Sequence, residues 1–166
     1  MDDQIILRNM RGEDWEAVSN IYQQAIDAHN VTFQAFVPTY EEWDRTHVKY
    51  CRFVAVLKDI VVGFVAINST SGRECYKGVV DLSIYIDYKH HNKGIGSLLM
   101  KELIEQSELM GYWTLQAAIF EVNKASISLH EKFGFRIIGY REKVAKTMDG
   151  EWMSTVLAER RSKTIL

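Results

Sequence analysis

The stretch Tyr88-Lys89-His90-His91-Asn92-Lys93-Gly94-Ile95-Gly96-Ser97 holds the residue types that bind an anion. Two glycines one residue apart let the backbone turn tightly, and the N–H groups that follow at a helix start lack intrahelical acceptors and point outward. Lys89 and Lys93, with His91, add positive charge at the same place. The chemistry this arrangement serves is the holding of a phosphate or pyrophosphate. No Gly-Lys-Ser/Thr follows, so it is not a nucleoside-triphosphate loop, and the third glycine of a dinucleotide fingerprint is missing. An ordinary strand-to-helix turn edged with solvated lysines would carry the same residues. Just ahead, Val79, Asp81, Ser83 and Tyr85 alternate with Val80, Leu82, Ile84 and Ile86. A strand there has one apolar face and one face bearing a carboxylate and two hydroxyls. Such a carboxylate serves as a general base when partly desolvated and as a structural acceptor when paired.

Other reactive side chains point to less. Cys51 and Cys75 form no disulfide framework, and Cys75 has no helix N-terminus or evident base beside it to make it a nucleophile. His90-His91, with His29 and His47, have no metal-ligand spacing, so no metal site is expected. The four Trp and eight Tyr are scattered through periodic segments and read as core, not as a base-stacking platform.

The elements that must position the loop follow from periodicity. Gln4–Met10 reads as a strand, and Trp15, Val18, Tyr22, Ala25 and Ile26 recur at helical spacing behind Asp14, a candidate cap. Thr39 followed three residues later by Glu42 is a capping-box signature and predicts a second helix ending near Tyr50. Residues 52–58 and 60–68, rich in Val, Ile and Phe around Lys58-Asp59, predict a hairpin. After the strand 79–86, Ile95, Leu98, Leu99 and Leu103 predict a helix from Gly94 to about Met110, with Gly111 as its stop. A strand at 113–119, a short helix capped by Asn123 and ending at Phe133-Gly134, and strands at 135–144 and 152–158 around Asp149-Gly150 close the order. This is α/β, or α+β, around one mixed and mostly antiparallel sheet, with a parallel pairing where the 94–110 helix crosses over.

With 166 residues, one Pro, 10 Gly and no repeat or linker, a single domain over 1–166 is expected, with 159–166 as a frayed tail. Net charge −2 leaves no basic field for nucleic acid or an anionic membrane. Met1-Asp2-Asp3-Gln4 is acidic where a signal peptide is basic, and no apolar run is long enough to span a membrane, so a cytoplasmic location is expected.

Several separate motifs together resemble the GNAT superfamily of acyl-CoA-dependent N-acetyltransferases, and within it the phosphinothricin and methionine sulfone/sulfoximine acetyltransferase branch. His91-Asn92-Lys93-Gly94-Ile95-Gly96 fits the superfamily signature Arg/Gln-x-x-Gly-x-Gly/Ala with His in the first place. The likeness extends through Thr32-Phe33, Pro38 and Glu42-Trp43; Arg73, Tyr76 and Val80-Asp81; Asn123-Lys124-Ala125-Ser126 with Leu129-His130; and Phe133-Gly134-Phe135, Gly139-Tyr140, Gly150 and Trp152.

The resemblance implies a sheet whose fourth and fifth strands splay apart, and acetyl-CoA as co-substrate without a metal. Its pantetheine arm would lie against Ile84, Tyr85 and Ile86, with Asn123 and Ser126 nearby. Its pyrophosphate would lie against His91, Asn92, Lys93, Gly94, Ile95, Gly96 and Ser97. The acceptor would be the primary amine of a small amino-acid-like molecule, held by Phe33, Arg73 and Tyr76 and attacking the thioester directly. Asp81, where relatives carry Glu, would be the base; His130 would be the acid, with Tyr85 as an alternative donor. Each has a structural counterpart reading: a paired Asp, a packed helical His, a surface Arg. Relatives of this kind imply a homodimer. Two other functions fit the same signature: a GNAT enzyme acting on a protein N-terminus, lysine or polyamine, and a non-catalytic domain that binds acyl-CoA as a signal.

Overall fold

The computed structural model describes residues 4–166; Met1-Asp2-Asp3, read above as lacking a signal-peptide character, lie outside the described residues. Seven strands form one sheet: β1 (Ile6–Asn9), β2 (Phe53–Leu57), β3 (Ile60–Ser69), β4 (Val79–Ile86), β5 (Thr114–Phe120), β6 (Arg136–Lys146) and β7 (Trp152–Arg161). Their order is β1-β2-β3-β4-β5-β7-β6. Every neighbouring pair is antiparallel except β4 and β5, which are parallel. Four α-helices flank the sheet: α1 (Trp15–Asp27), α2 (Tyr40–Thr46), α3 (Ile95–Leu109) and α4 (Lys124–Lys132).

The strand alternation decides which helix goes where. Val80 and Leu82 of β4 pack with Leu115, Ala117 and Ile119 of β5 against Leu99, Met100 and Leu103 of α3. On the opposite face Tyr85, Phe64 and Ala66 meet Val18, Ile21 and Tyr22 of α1 and Trp43 of α2. A purely apolar strand face thus lies under α3, and the face carrying Asp81, Ser83 and Tyr85 is turned toward α1.

Local signals were realised closely. Thr39 accepts from the Glu42 N–H and Glu42 accepts from the Thr39 N–H, closing the capping box. Lys58 and Asp59 both take positive φ, which a two-residue hairpin turn requires. Three expectations are corrected. Asp14 precedes α1 but does not cap it: its carboxylate accepts two bonds from Arg8 and one from the Arg11 N–H. The second helix ends at Thr46, because buried Arg52 draws the Asp44, His47 and Val48 carbonyls onto its guanidinium and turns the chain out of helix. Residues 159–161, expected in a frayed tail, are the end of β7 and pair with β5, and Arg160 reaches Glu108 at 3.0 Å. Among the described residues no helix is long and apolar enough to cross a membrane.

Candidate active site

The loop between β4 and α3 is built as a cradle. Asp87 accepts from the Lys89 N–H at 2.8 Å and from Gln24 of α1 at 3.2 Å, while Gln24 Oε1 accepts from the Tyr88 N–H. Lost hydration works against the Asp87 carboxylate, but the bonds from Gln24, Lys89 and His90 hold its pKa below the ordinary value. Asn92 and Gly94 then take positive φ, and Gly94 occupies the N-cap position of α3 without any side chain capping it. The first backbone bond of α3 is Leu98 N–H to the Gly94 carbonyl. The N–H groups of Ile95, Gly96 and Ser97 therefore lack intrahelical acceptors, and the positive end of the helix dipole lies behind them. A Cβ on Gly96 would come within 3.1 Å of the Leu129 side chain, so a hydrogen is what lets α4 pack this closely beside the loop.

β4 and β5 pair through only three rungs: Val79 with Thr114, Val80 with Leu115, and Asp81 with Gln116. Beyond these, β4 continues to Ile86 and β5 to Phe120 with no further pair among the described residues. The edge this exposes can be assigned atom by atom. The Asp87 N–H bonds the Val62 carbonyl on β3, so by alternation Tyr85 and Ser83 also turn their backbone groups to β3. Ile84 and Ile86 turn theirs into the gap, where His91 Nε2 meets the Ile86 carbonyl at 3.1 Å. Tyr85, grouped with them from sequence, contributes a ring and not a backbone edge. Its hydroxyl is bonded by Thr32 and Ser83; burial nonetheless raises its pKa.

A cleft of roughly 410 Å³ opens between the ends of α1, α3 and α4 over this edge. It is lined by Ile84, Tyr85, Ile86, His91, Asn92, Gly94, Ile95, Gly96, Ser97, Asn123 and Ser126, all singled out from sequence. Lys93 is exposed and outside the lining. Tyr88 and Leu129, quoted within motifs from sequence but given no site role, also line it, as does Gln24, which sequence reasoning missed. A second, smaller hollow continues between the strands and reaches Ser83, Ala118 and His130.

His130 is 1% exposed, in the middle of this arrangement. Its Nδ1 lies 2.7 Å from the Ser126 carbonyl, its ring meets Phe135 edge-on, and its Nε2 is buried with no partner among the described residues. Burial pushes the imidazole pKa below its ordinary value, against the opposing effect of the Ser126 bond. Asp81 sits on the other face of the sheet at the last rung, open to solvent on one side and without a hydrogen-bond partner among the described residues. Partial desolvation raises its pKa. Phe33, from the segment after α1, packs on Phe120 of β5 at 4.4 Å. Arg73 and Tyr76 meet each other in the turn before β4, the guanidinium 5.6 Å from the ring, and both lie outside the two hollows. No cluster of metal-ligating side chains occurs among the described residues.

The acetyltransferase (GNAT) family model matches residues 15–135. Among curated relatives, phosphinothricin N-acetyltransferase of Streptomyces viridochromogenes is 28% identical over 80% of this chain and 75% of its own. The L-amino acid N-acetyltransferase AaaT of Escherichia coli K12 is 28% identical over 95% of this chain and 98% of its own. Among solved structures, a GNAT superfamily phosphinothricin acetyltransferase from Sinorhizobium meliloti in complex with acetyl-CoA superposes with TM-score 0.85. It is 23% identical and the match covers 95% of this chain and 88% of that one.

Proposed function

The chain belongs to the GNAT acetyltransferase family, and on that premise we propose that it transfers the acetyl group of acetyl-CoA to the primary amine of a small amino-acid-like molecule of the phosphinothricin, methionine sulfone or methionine sulfoximine type. The observation that carries this reading is the gap beyond the Asp81–Gln116 rung, with an open carboxylate beside it and His130, whose buried Nε2 has no partner among the described residues, lining the hollow that continues from it. The names borne by the relatives support the substrate class.

The residues present fit acetyl-CoA. The free N–H groups of Ile95, Gly96 and Ser97 would take its phosphates, and the exposed Ile84 and Ile86 backbone would take the amides of its arm. Asn123 has its Oδ1 on the Ser126 N–H, which leaves its amide hydrogens to donate. The bound co-substrate supplies an acyl group activated as a thioester.

Two protons must move. A substrate ammonium is unreactive until it loses one, and Asp81, whose raised pKa strengthens it as a base, accepts it. The attacking nitrogen loses a second, which must end on the departing sulfur. A carbonyl can only accept, so the Ser126 bond fixes the His130 ring proton on Nδ1 and leaves Nε2 basic. In this reading His130 at rest is an acceptor at Nε2 and becomes the acid named from sequence once it has taken up a proton. In this reading Nε2 takes up the second proton and passes it to the thiolate, and the lowered pKa makes the imidazolium a willing donor.

The experiment is release of free CoA thiol from acetyl-CoA at mildly alkaline pH, against phosphinothricin, methionine sulfone, methionine sulfoximine, common amino acids, polyamines and short peptides. Release with the amino-acid analogues is the expected result. Release only with polyamines or peptides would replace the substrate class and retain the transferase.

A further inference from the structure

Gln116 stands beside Asp81 on the last rung that joins the two halves of the sheet. Partners on a rung point to the same face and lie about 5 Å apart. Asp81 has Asn68 on its other side, and Gln116 has Glu159. Both outer neighbours are committed: Asn68 donates to the Thr46 carbonyl at 3.2 Å, and Glu159 pairs with Arg136 at 3.1 Å. Asp81 and Gln116, between them, have no hydrogen-bond partner among the described residues. Along this face the next β5 residue is Ala118, so among the described residues Gln116 is the uncommitted side chain that shares the carboxylate's own rung.

A carboxamide carries both donors and an acceptor at one end, and of the two that flank Asp81 the Asn68 amide already donates to the Thr46 carbonyl. A primary ammonium has three donors and needs more than one acceptor to fix its direction. We propose that Gln116 positions the acceptor amine at Asp81, its amide hydrogens directed to the carboxylate and its Oε1 accepting an N–H of the substrate. This rests on the reading of Asp81 as the base. The amide donor favours the ionised carboxylate, and the acceptor aims the nitrogen toward the gap.

Other charged groups surround the pair. Beyond Gln116 lie Glu159 with Arg136, and Arg161 bonded to the Ser162 and Ile165 carbonyls. On the near side are His47, next to the Thr46 carbonyl that holds Asn68, and Arg73, Tyr76, Glu74 and Lys77 of the turn before β4. Tyr85 is further along the same strand face. All are unchanged by substitution at Gln116, so the difference between variants isolates its effect.

The experiment compares wild type, Gln116→Ala, Gln116→Glu and Asp81→Asn. Two quantities are read: the pH dependence of kcat with the best amine of the panel, and the Asp81 carboxyl titration by carbon NMR with that amine bound and acetyl-CoA left out, the state in which the Gln116 amide is proposed to meet the carboxylate. Acetyl-CoA affinity is the folding control. Gln116→Ala is expected to move the acidic limb and the Asp81 titration upward by about one unit and raise the amine KM about tenfold. If Gln116 merely walls Asp81 off from water, truncation lets water in and both move downward instead. Gln116→Glu, of the same shape, is expected to move them further upward by like-charge repulsion. A downward or absent shift in Gln116→Ala overturns the proposal, whatever the added charge of Gln116→Glu does. Full activity of Asp81→Asn overturns the base reading instead, and the NMR titration still reports whether Gln116 controls the carboxylate.

Discussion

His130 Nδ1 lies 2.7 Å from the carbonyl oxygen of Ser126, one turn earlier on the same helix. That single bond decides the tautomer and therefore leaves Nε2 as the nitrogen without a proton. His130→Gln is expected to lower kcat about 100-fold, the size of a lost acid–base contribution, while leaving acetyl-CoA affinity unchanged. Steady-state rates and equilibrium binding on the same preparation check this, and an unaffected kcat would remove His130 from the proton path.

The same residue makes stability depend on pH. Its folded pKa is below the unfolded value, so as pH falls the unfolded chain takes up a proton first. The stability tied to neutral His130 is fully present above the ordinary imidazole pKa of about 6.5 and is lost as pH drops through it toward the folded value. His47, also lowered chiefly by burial, adds a term of the same sign. Urea midpoints measured between about pH 8 and 5 should therefore fall more steeply for wild type than for His130→Gln, which retains His47.

Asp81→Asn keeps the shape and removes the carboxylate proposed as the base. We expect kcat/KM to drop about 100-fold near neutral pH and to recover partly at higher pH, where the free amine no longer needs deprotonation. Asp81→Glu should restore part of the loss. A flat comparison across the pH range would place the base elsewhere.

Gly94→Val tests the cradle. Nothing stands within 4 Å of the position a Cβ would take, so no clash arises. The cost is backbone: at φ +78 an L-residue is strained by about 1–2 kcal/mol. The variant is expected to remain folded with a slightly lower melting temperature and to bind acetyl-CoA at least about tenfold more weakly as the loop relaxes. Calorimetry and thermal melting separate the two effects.

Asp14 serves the fold alone. It is buried, and Arg8 reaches it through two bonds of 2.7 and 2.8 Å; the Arg8 bonds hold its pKa below the ordinary value, against desolvation and with help from the Arg11 N–H. Asp14→Ala leaves a half-buried guanidinium and a backbone donor unmatched, and should destabilise by about 2–3 kcal/mol in denaturant titration without changing kcat.

How much of this was legible in the sequence follows physical range. The turn at Gly94 into α3, the Asn123 cap and the Thr39–Glu42 box were readable because each is closed by residues within one turn of chain. The α2 terminus was not, since Arg52 acts on it from the next strand. Nor was the division of labour at Tyr85, because which edge a strand residue presents depends on the partner register, here set by Asp87 and Val62. Gln24 and Gln116 carried no local signal: each gains meaning only from what the fold puts beside it, the Tyr88 loop for one and Asp81 for the other. Arg73 and Tyr76 were read as lining the acceptor pocket, and they lie together but outside both hollows.

The three-rung contact between β4 and β5 has a mechanical consequence. It divides the sheet into a four-stranded part and a three-stranded part, joined by few backbone bonds and by the packing of α3 across the seam. A ligand lodged in the gap would bond to the Ile84 and Ile86 edge on one side and to α4 on the other, adding ties where the sheet has none. Amide exchange in the free protein should therefore show the two parts opening with different free energies, and in the loaded protein with one. In that sense a co-substrate consumed in each turnover would also complete the cooperativity of the fold.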